Sequence, residues 1–194
     1  VTQPDYLPHA AGVWRETSLE DLKAWAAWHV VHGRATLLSG AFVEENFDFY
    51  GRTLQGTHEL RPRWKRGVGL VESCLGEALG EIYVERHFPP SHKSAMEALV
   101  GRLIEAYRQS ISSLEWMSPA TRERALEKLA LFTPKIGYPV RWRDYSAVEV
   151  VPGDVLASVR SVERADMAYS LNKLTKPVDR DEWHMTPQTV NAYY

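Results

Sequence analysis

Two histidines three residues apart, His29 and His32 in "HVVH", can place their imidazoles on one helical face. Two such ligands can seed a metal site, but a working site needs three or four, and no third is identifiable nearby. The pair therefore reads as partly exposed side chains of an amphipathic helix. His58-Glu59 opens like the zinc motif HExxH, but position 62 is Pro62. Proline also breaks the helix that motif requires. No Glu is followed by a His three positions later, so the di-iron pattern Glu-x-x-His is absent. His87 and His92 flank Pro89-Pro90 and read as loop residues. There is no G-x-S-x-G nucleophile elbow and no phosphate-binding P-loop. Cys74, the single cysteine, stands among Val71, Leu75 and Leu79 and reads as an inert thiol. The basic run Arg61, Arg63, Lys65 and Arg66 could touch an anion, but reads first as a solvated helix start. The residues alone thus assign no catalytic group and no metal ligand.

The elements that would position a site are mainly helical. The first helix is expected from Ser18, whose hydroxyl can cap "LEDLKAWAAWHVVHGRATLL", with Leu22, Trp25, Ala26 and Val30 on one face. A second covers "FVEENFDFYGRTL". A third runs from Trp64 with apolar positions at Val68, Val71, Leu75, Leu79 and Ile82, and stops at Pro89-Pro90. Ser94 and Glu97 form a capping-box pattern that predicts the start of a fourth, packed antiparallel to the third. "WMSPATRERALEKLALF" carries the clearest signal, with Ser118 as N-cap and Pro119 at the first helical position. "TPKIGYPVRW" predicts an extended segment and a turn, and a less regular helix is expected from Gly153 to Leu174. "TVNAYY" favours a strand, yet nothing upstream offers it a partner.

Composition excludes some classes. The chain has 194 residues, a net charge of −2 and 44% hydrophobic residues. That balance argues against nucleic-acid binding, which calls for a basic excess. No apolar stretch is long enough for a membrane span. The single cysteine cannot form an internal disulfide, and no Asn-x-Ser/Thr sequon occurs. The expected setting is a soluble bacterial protein, cytoplasmic or secreted. The missing initiator Met and the orphan strand predict that both ends are cuts.

Five blocks, in order, carry a resemblance: "LGEIYVERHF", "LEWMSPATRERALEKL", "KIGYP", "VDRDEW" and "VNAYY". With "QPDYL" and "DFYGRTLQG" they resemble the neprilysin and endothelin-converting-enzyme family of zinc metalloendopeptidases, nearest to actinobacterial and mycobacterial-like members. The resemblance implies a helical lobe that covers an active site, here residues 1–151. It implies that residues 152–194 begin a thermolysin-like catalytic lobe with its first helix and strand. It further implies that Asn191, through its amide, and Ala192, through its backbone, hold an extended peptide substrate as an edge strand does. The family's HExxH and later Glu-x-x-x-Asp ligands lie beyond the Asn-Ala element and are not in this sequence. The resemblance therefore implies zinc in the complete enzyme and none in this chain. The implied partners are peptide substrates and the rest of the catalytic lobe. The rival reading is a stand-alone helical interaction domain without catalysis.

Overall fold

The computed structural model describes residues 3–193 and is built from α-helices. The chain divides into two compact units, Val1–Pro62 and Arg63–Tyr194. No helix among the described residues is long and apolar enough to cross a membrane.

The first unit holds α1 (Tyr6–Glu16), α2 (Leu19–His32), a 3-10 turn at Ala35–Leu37, and α3 (Gly40–Asn46), which runs into a π-helical segment at Phe47–Thr53. The first helix is expected only from Ser18, but α1 precedes it. Pro8 falls in the first turn of α1, where a backbone N–H has no helical partner to lose. Ser18 caps α2 as its position predicts, its hydroxyl oxygen accepting from the Asp21 N–H at 3.1 Å. The helix ends at Gly33, earlier than its apolar run suggests. The π-helical widening lets Phe47 fold back over Gly51, where a Cβ would meet the ring at 2.4 Å. Phe47 and Ala35 are buried, whereas Trp25 and Val30, on the apolar face of α2, are exposed.

The second unit holds α4 (Arg63–His87), α5 (Pro90–Ser113), α6 (Pro119–Ala130) and α7 (Val155–Asn172). α5 packs on α6, and α4 on α7. Ser118 caps α6 through the Thr121 N–H at 3.2 Å, with Pro119 behind it as expected. The Ser94–Glu97 capping box does not form. α5 begins four residues earlier, with Pro90 in its first turn, and the Ser94 hydroxyl donates to the Pro90 carbonyl inside the helix. Proline's fixed φ pre-organises that start, so no side-chain cap is needed. α4 bends at Leu75, whose backbone leaves the helical region (φ −132°, ψ 34°). Its buried positions are Gly76 and Gly80, not the apolar stripe, of which Trp64, Val68, Val71 and Ile82 are exposed.

The 139–154 stretch is pinned between α4 and α7. The Arg143 N–H donates to Glu77 Oε2 at 3.0 Å, and Ser161 and Ser158 of α7 accept from the Glu149 and Val151 N–H groups at 2.8 and 2.9 Å. Val159 and Val162 sit buried beside those serines.

The expected strand at the end of the chain is not formed among the described residues; Tyr194 lies outside them. Residues 186–191 close into tight turns, with Thr189 N–H on the Thr186 carbonyl and Asn191 N–H on the Thr189 carbonyl, both at 3.1 Å. A strand needs a neighbour to take its N–H groups, and here local carbonyls take them.

Candidate functional site

The site is built where residues 186–188 lie against α4. A helix surface normally keeps a neighbouring backbone at side-chain distance. Gly76 and Gly80, one turn apart, remove that spacing. A Cβ at Gly76 would lie 2.8 Å from Thr186 Cγ2, and one at Gly80 would lie 2.8 Å from Pro187 Cδ. One turn before Gly76, Glu72 accepts two hydrogen bonds at 2.7 Å, from Thr186 Oγ1 and from Gln188 Nε2. Gln188 Nε2 also donates to the Gly76 carbonyl at 2.9 Å.

This anchored segment leads into Asn191 and Ala192, both exposed and among the residues lining a groove of about 730 Å³. Phe132, Ile136, Trp183 and Met185 give the groove apolar walls, and Lys128, Lys135 and Arg180 give it a basic side. Gly137 also lines it, and its positive φ of 74° and close approach to Phe88, 2.7 Å from where a Cβ would be, exclude a side chain. Asn191 Oδ1 accepts from the Ala192 N–H at 2.8 Å. The two residues expected from the resemblance to hold a peptide thus partly satisfy each other. The Asn191 NH₂ and the Ala192 carbonyl have no hydrogen bond drawn from within that pair. Nearby, the His184 N–H donates to Tyr193 Oη at 3.3 Å and tethers the end of the segment back on itself.

A second cleft of about 1080 Å³ shares the Lys135–Ile136 wall. Its charges are largely matched. Arg143 pairs with Asp166 and lies over the Tyr169 ring at 4.7 Å. Lys173 pairs with Glu182, which also accepts from Tyr169 Oη at 3.1 Å. The Lys173 bond holds the Glu182 carboxyl below the usual carboxylate range, and in return Glu182 raises the Lys173 ammonium. Burial, then the bond to Glu182, pushes the Tyr169 hydroxyl up. A depressed carboxyl stabilises the fold above its unfolded value, about 4.3, and loses that contribution as pH falls through the lower folded value. We therefore expect amide exchange at residues 181–183, corrected for its intrinsic pH dependence, to accelerate below about pH 4. Glu182→Gln should remove that acid limb; an unchanged limb would show that the pair does not hold the loop.

The histidines pack as aromatic surfaces. His29 meets Trp25 and Trp28 edge-on, with ring centres 4.4 and 4.8 Å away, and His32 stacks on Trp28 at 4.5 Å. Cys74 is half-buried. Lys65, from the basic run, lies over the Trp64 ring at 5.4 Å. Among the described residues, no group of three or more His, Cys, Asp or Glu side chains is placed to hold a metal ion. Glu72 drew no attention in the sequence. The Gly76-x-x-x-Gly80 spacing was the available signal, since paired small residues mark where a helix is approached closely.

Residues 1–139 match the profile described as peptidase family M13. A neutral endopeptidase of Lactococcus lactis subsp. cremoris is 30% identical over 181 residues, covering 89% of this chain and 28% of that protein. Human neprilysin is 26% identical over 202 residues, covering 100% of this chain and 27% of that protein. The crystal structure of the Mycobacterium tuberculosis zinc metalloprotease ZMP1, in complex with an inhibitor, superposes with a TM-score of 0.90 at 53% identity, covering 99% of this chain and 29% of that one. The chain thus spans under a third of the length of these relatives.

Proposed function

The chain belongs to peptidase family M13, and from that premise we propose that it forms part of a zinc-dependent metalloendopeptidase acting on peptides. Residues 1–151 are the helical lobe that covers the active site. Residues 152–194 begin the catalytic lobe. Asn191 and Ala192 hold the substrate main chain, an amide and a backbone carbonyl being the donor and acceptor that an extended peptide requires. The observation that supports this reading is that Asn191 and Ala192 are exposed, line a groove and end a segment fixed to α4.

Zinc is the cofactor of the proposed complete enzyme. The described residues of this chain do not fit it, since they present no donor set. What this chain contributes is a cover, a groove wall and a main-chain grip. By itself it should be inactive.

The test compares this chain with the complete protein. The complete protein should contain one tightly held zinc, cleave peptides, lose activity to a chelator and regain it with zinc. The 194-residue chain should do neither. Stoichiometric zinc in the short chain, or no hydrolysis by the zinc-loaded complete protein, would overturn the reading.

A further inference from the structure

We propose that Glu72 is a positioning residue for the peptide-holding segment, an inference that rests on the reading of Asn191 and Ala192 as the substrate grip. Glu72 stands 114 residues before Thr186 and 116 before Gln188, so the contact is a deliberate tertiary one and not a turn. Each carboxylate oxygen has its own partner, Oε1 the Thr186 hydroxyl and Oε2 the Gln188 amide, both at 2.7 Å. Hydrogen bonds to an ionised acceptor are about twice as strong as neutral ones. Two on one rigid head fix the orientation of what they hold as well as its distance.

The clamp is continued toward the substrate grip by short steps. Thr186 Oγ1 also meets Thr189 Oγ1 at 2.8 Å, the Thr189 N–H returns to the Thr186 carbonyl, and the Asn191 N–H to the Thr189 carbonyl. Every backbone turn between the clamp and Asn191 therefore closes on a residue that Glu72 or its partners hold. The glycines make this geometry possible. With any side chain at Gly80, Pro187 and the Gln188 amide oxygen, 2.8 and 2.9 Å from the Cβ position, would have to move away from α4. Glu72 is thus placed to set where Asn191 presents its amide, with no contact to the substrate of its own.

Acting through Asn191 has a signature that general destabilisation lacks. In the complete zinc-loaded protein, Glu72→Ala should raise KM for a peptide about tenfold, with kcat within about twofold, the loss of about one charge-assisted bond's worth of binding. Glu72→Gln, which keeps one acceptor, should recover part of it. Asn191→Ala should also raise KM, and the Glu72→Ala/Asn191→Ala double variant should be no worse than Asn191→Ala alone. If Glu72→Ala compromises folding, Thr186→Val removes one clamp bond at nearly constant volume and should raise KM about threefold.

The outcomes separate the two ideas. An Asn191→Ala variant with normal KM sinks the substrate-grip reading. A strong Asn191→Ala effect, with Glu72→Ala neutral or multiplying it in the double variant, sinks the clamp alone. Amide exchange of Thr189 and Asn191 reports on positioning without any substrate. It should quicken in Glu72→Ala, and unchanged rates would overturn the clamp whatever the kinetics show.

Discussion

Asn191→Ala in the complete enzyme is expected to lower kcat/KM for peptide substrates by about 10- to 100-fold. The figure follows from what the side chain offers. A hydrogen bond contributes roughly 0.5–1.5 kcal/mol net, and a buried partner left unmatched costs more, so losing a donor and an acceptor amounts to about 1.4–2.8 kcal/mol. In the free protein, Asn191 Oδ1 is occupied by the Ala192 N–H at 2.8 Å. That internal bond keeps the amide oriented before substrate arrives and is exchanged for substrate bonds afterwards, so part of the ordering cost is already met. Asn191→Asp keeps the acceptor, loses the NH₂ donor and adds a charge beside the groove, so it should fall between the wild type and Ala. Ala192→Gly leaves the backbone groups in place and should change KM by less than about fivefold, the freed backbone costing under about 1 kcal/mol. A flat response to Asn191→Ala across several peptides would remove Asn191 from the substrate grip.

Local signals were legible and distant ones were not. Ser18 and Ser118-Pro119 could be read because a cap works over three residues, and the structure shows both hydroxyls on the expected N–H groups. Ser94 and Glu97 misled because the pattern is equally local, and Pro90, four residues earlier, starts the helix better. The π-helical turn at Phe47–Thr53 depends on the phenyl ring finding Gly51, which no period in the sequence encodes. The apolar stripes of α2 and α4 lie on helices as read, but most of their large side chains stand exposed. Asn191 and Ala192 were found through a resemblance, since an Asn-Ala pair says nothing by itself. The Gly76-x-x-x-Gly80 spacing marks a close approach to α4, but Glu72 itself was not legible because its partners are more than a hundred residues away.

Those exposed stripes lead to the second large effect: the 194-residue chain, taken alone, should not melt cooperatively. Its accessible surface is 15586 Å². Two compact globules the size of Val1–Pro62 and Arg63–Tyr194, not touching at all, would together expose roughly 11,000 Å². The excess holds whatever the placement of the units, so it arises within them. The buried apolar side chains among the described residues are Ala35, Phe47, Pro139, Val159 and Val162, while Trp116 and Leu131 are 78% and 82% exposed. Burying one large side chain contributes about 1.5–3 kcal/mol, and fixing one residue's backbone costs about 1–2 kcal/mol, so a chain with so few buried side chains has little surplus. Patches on this scale mark surfaces that another part of a protein covers. In the complete enzyme the proposed occupant is the remaining catalytic lobe, together with whatever else the longer relatives carry. Calorimetry of the chain alone should show a broad transition of low enthalpy, with strong binding of a hydrophobic dye and concentration-dependent association. The complete protein should show a sharp transition and little dye binding. A sharp two-state melt of the short chain, with roughly 130 kcal/mol of enthalpy as expected for a well-packed protein of this length, would mean that its exposed stripes need no covering lobe.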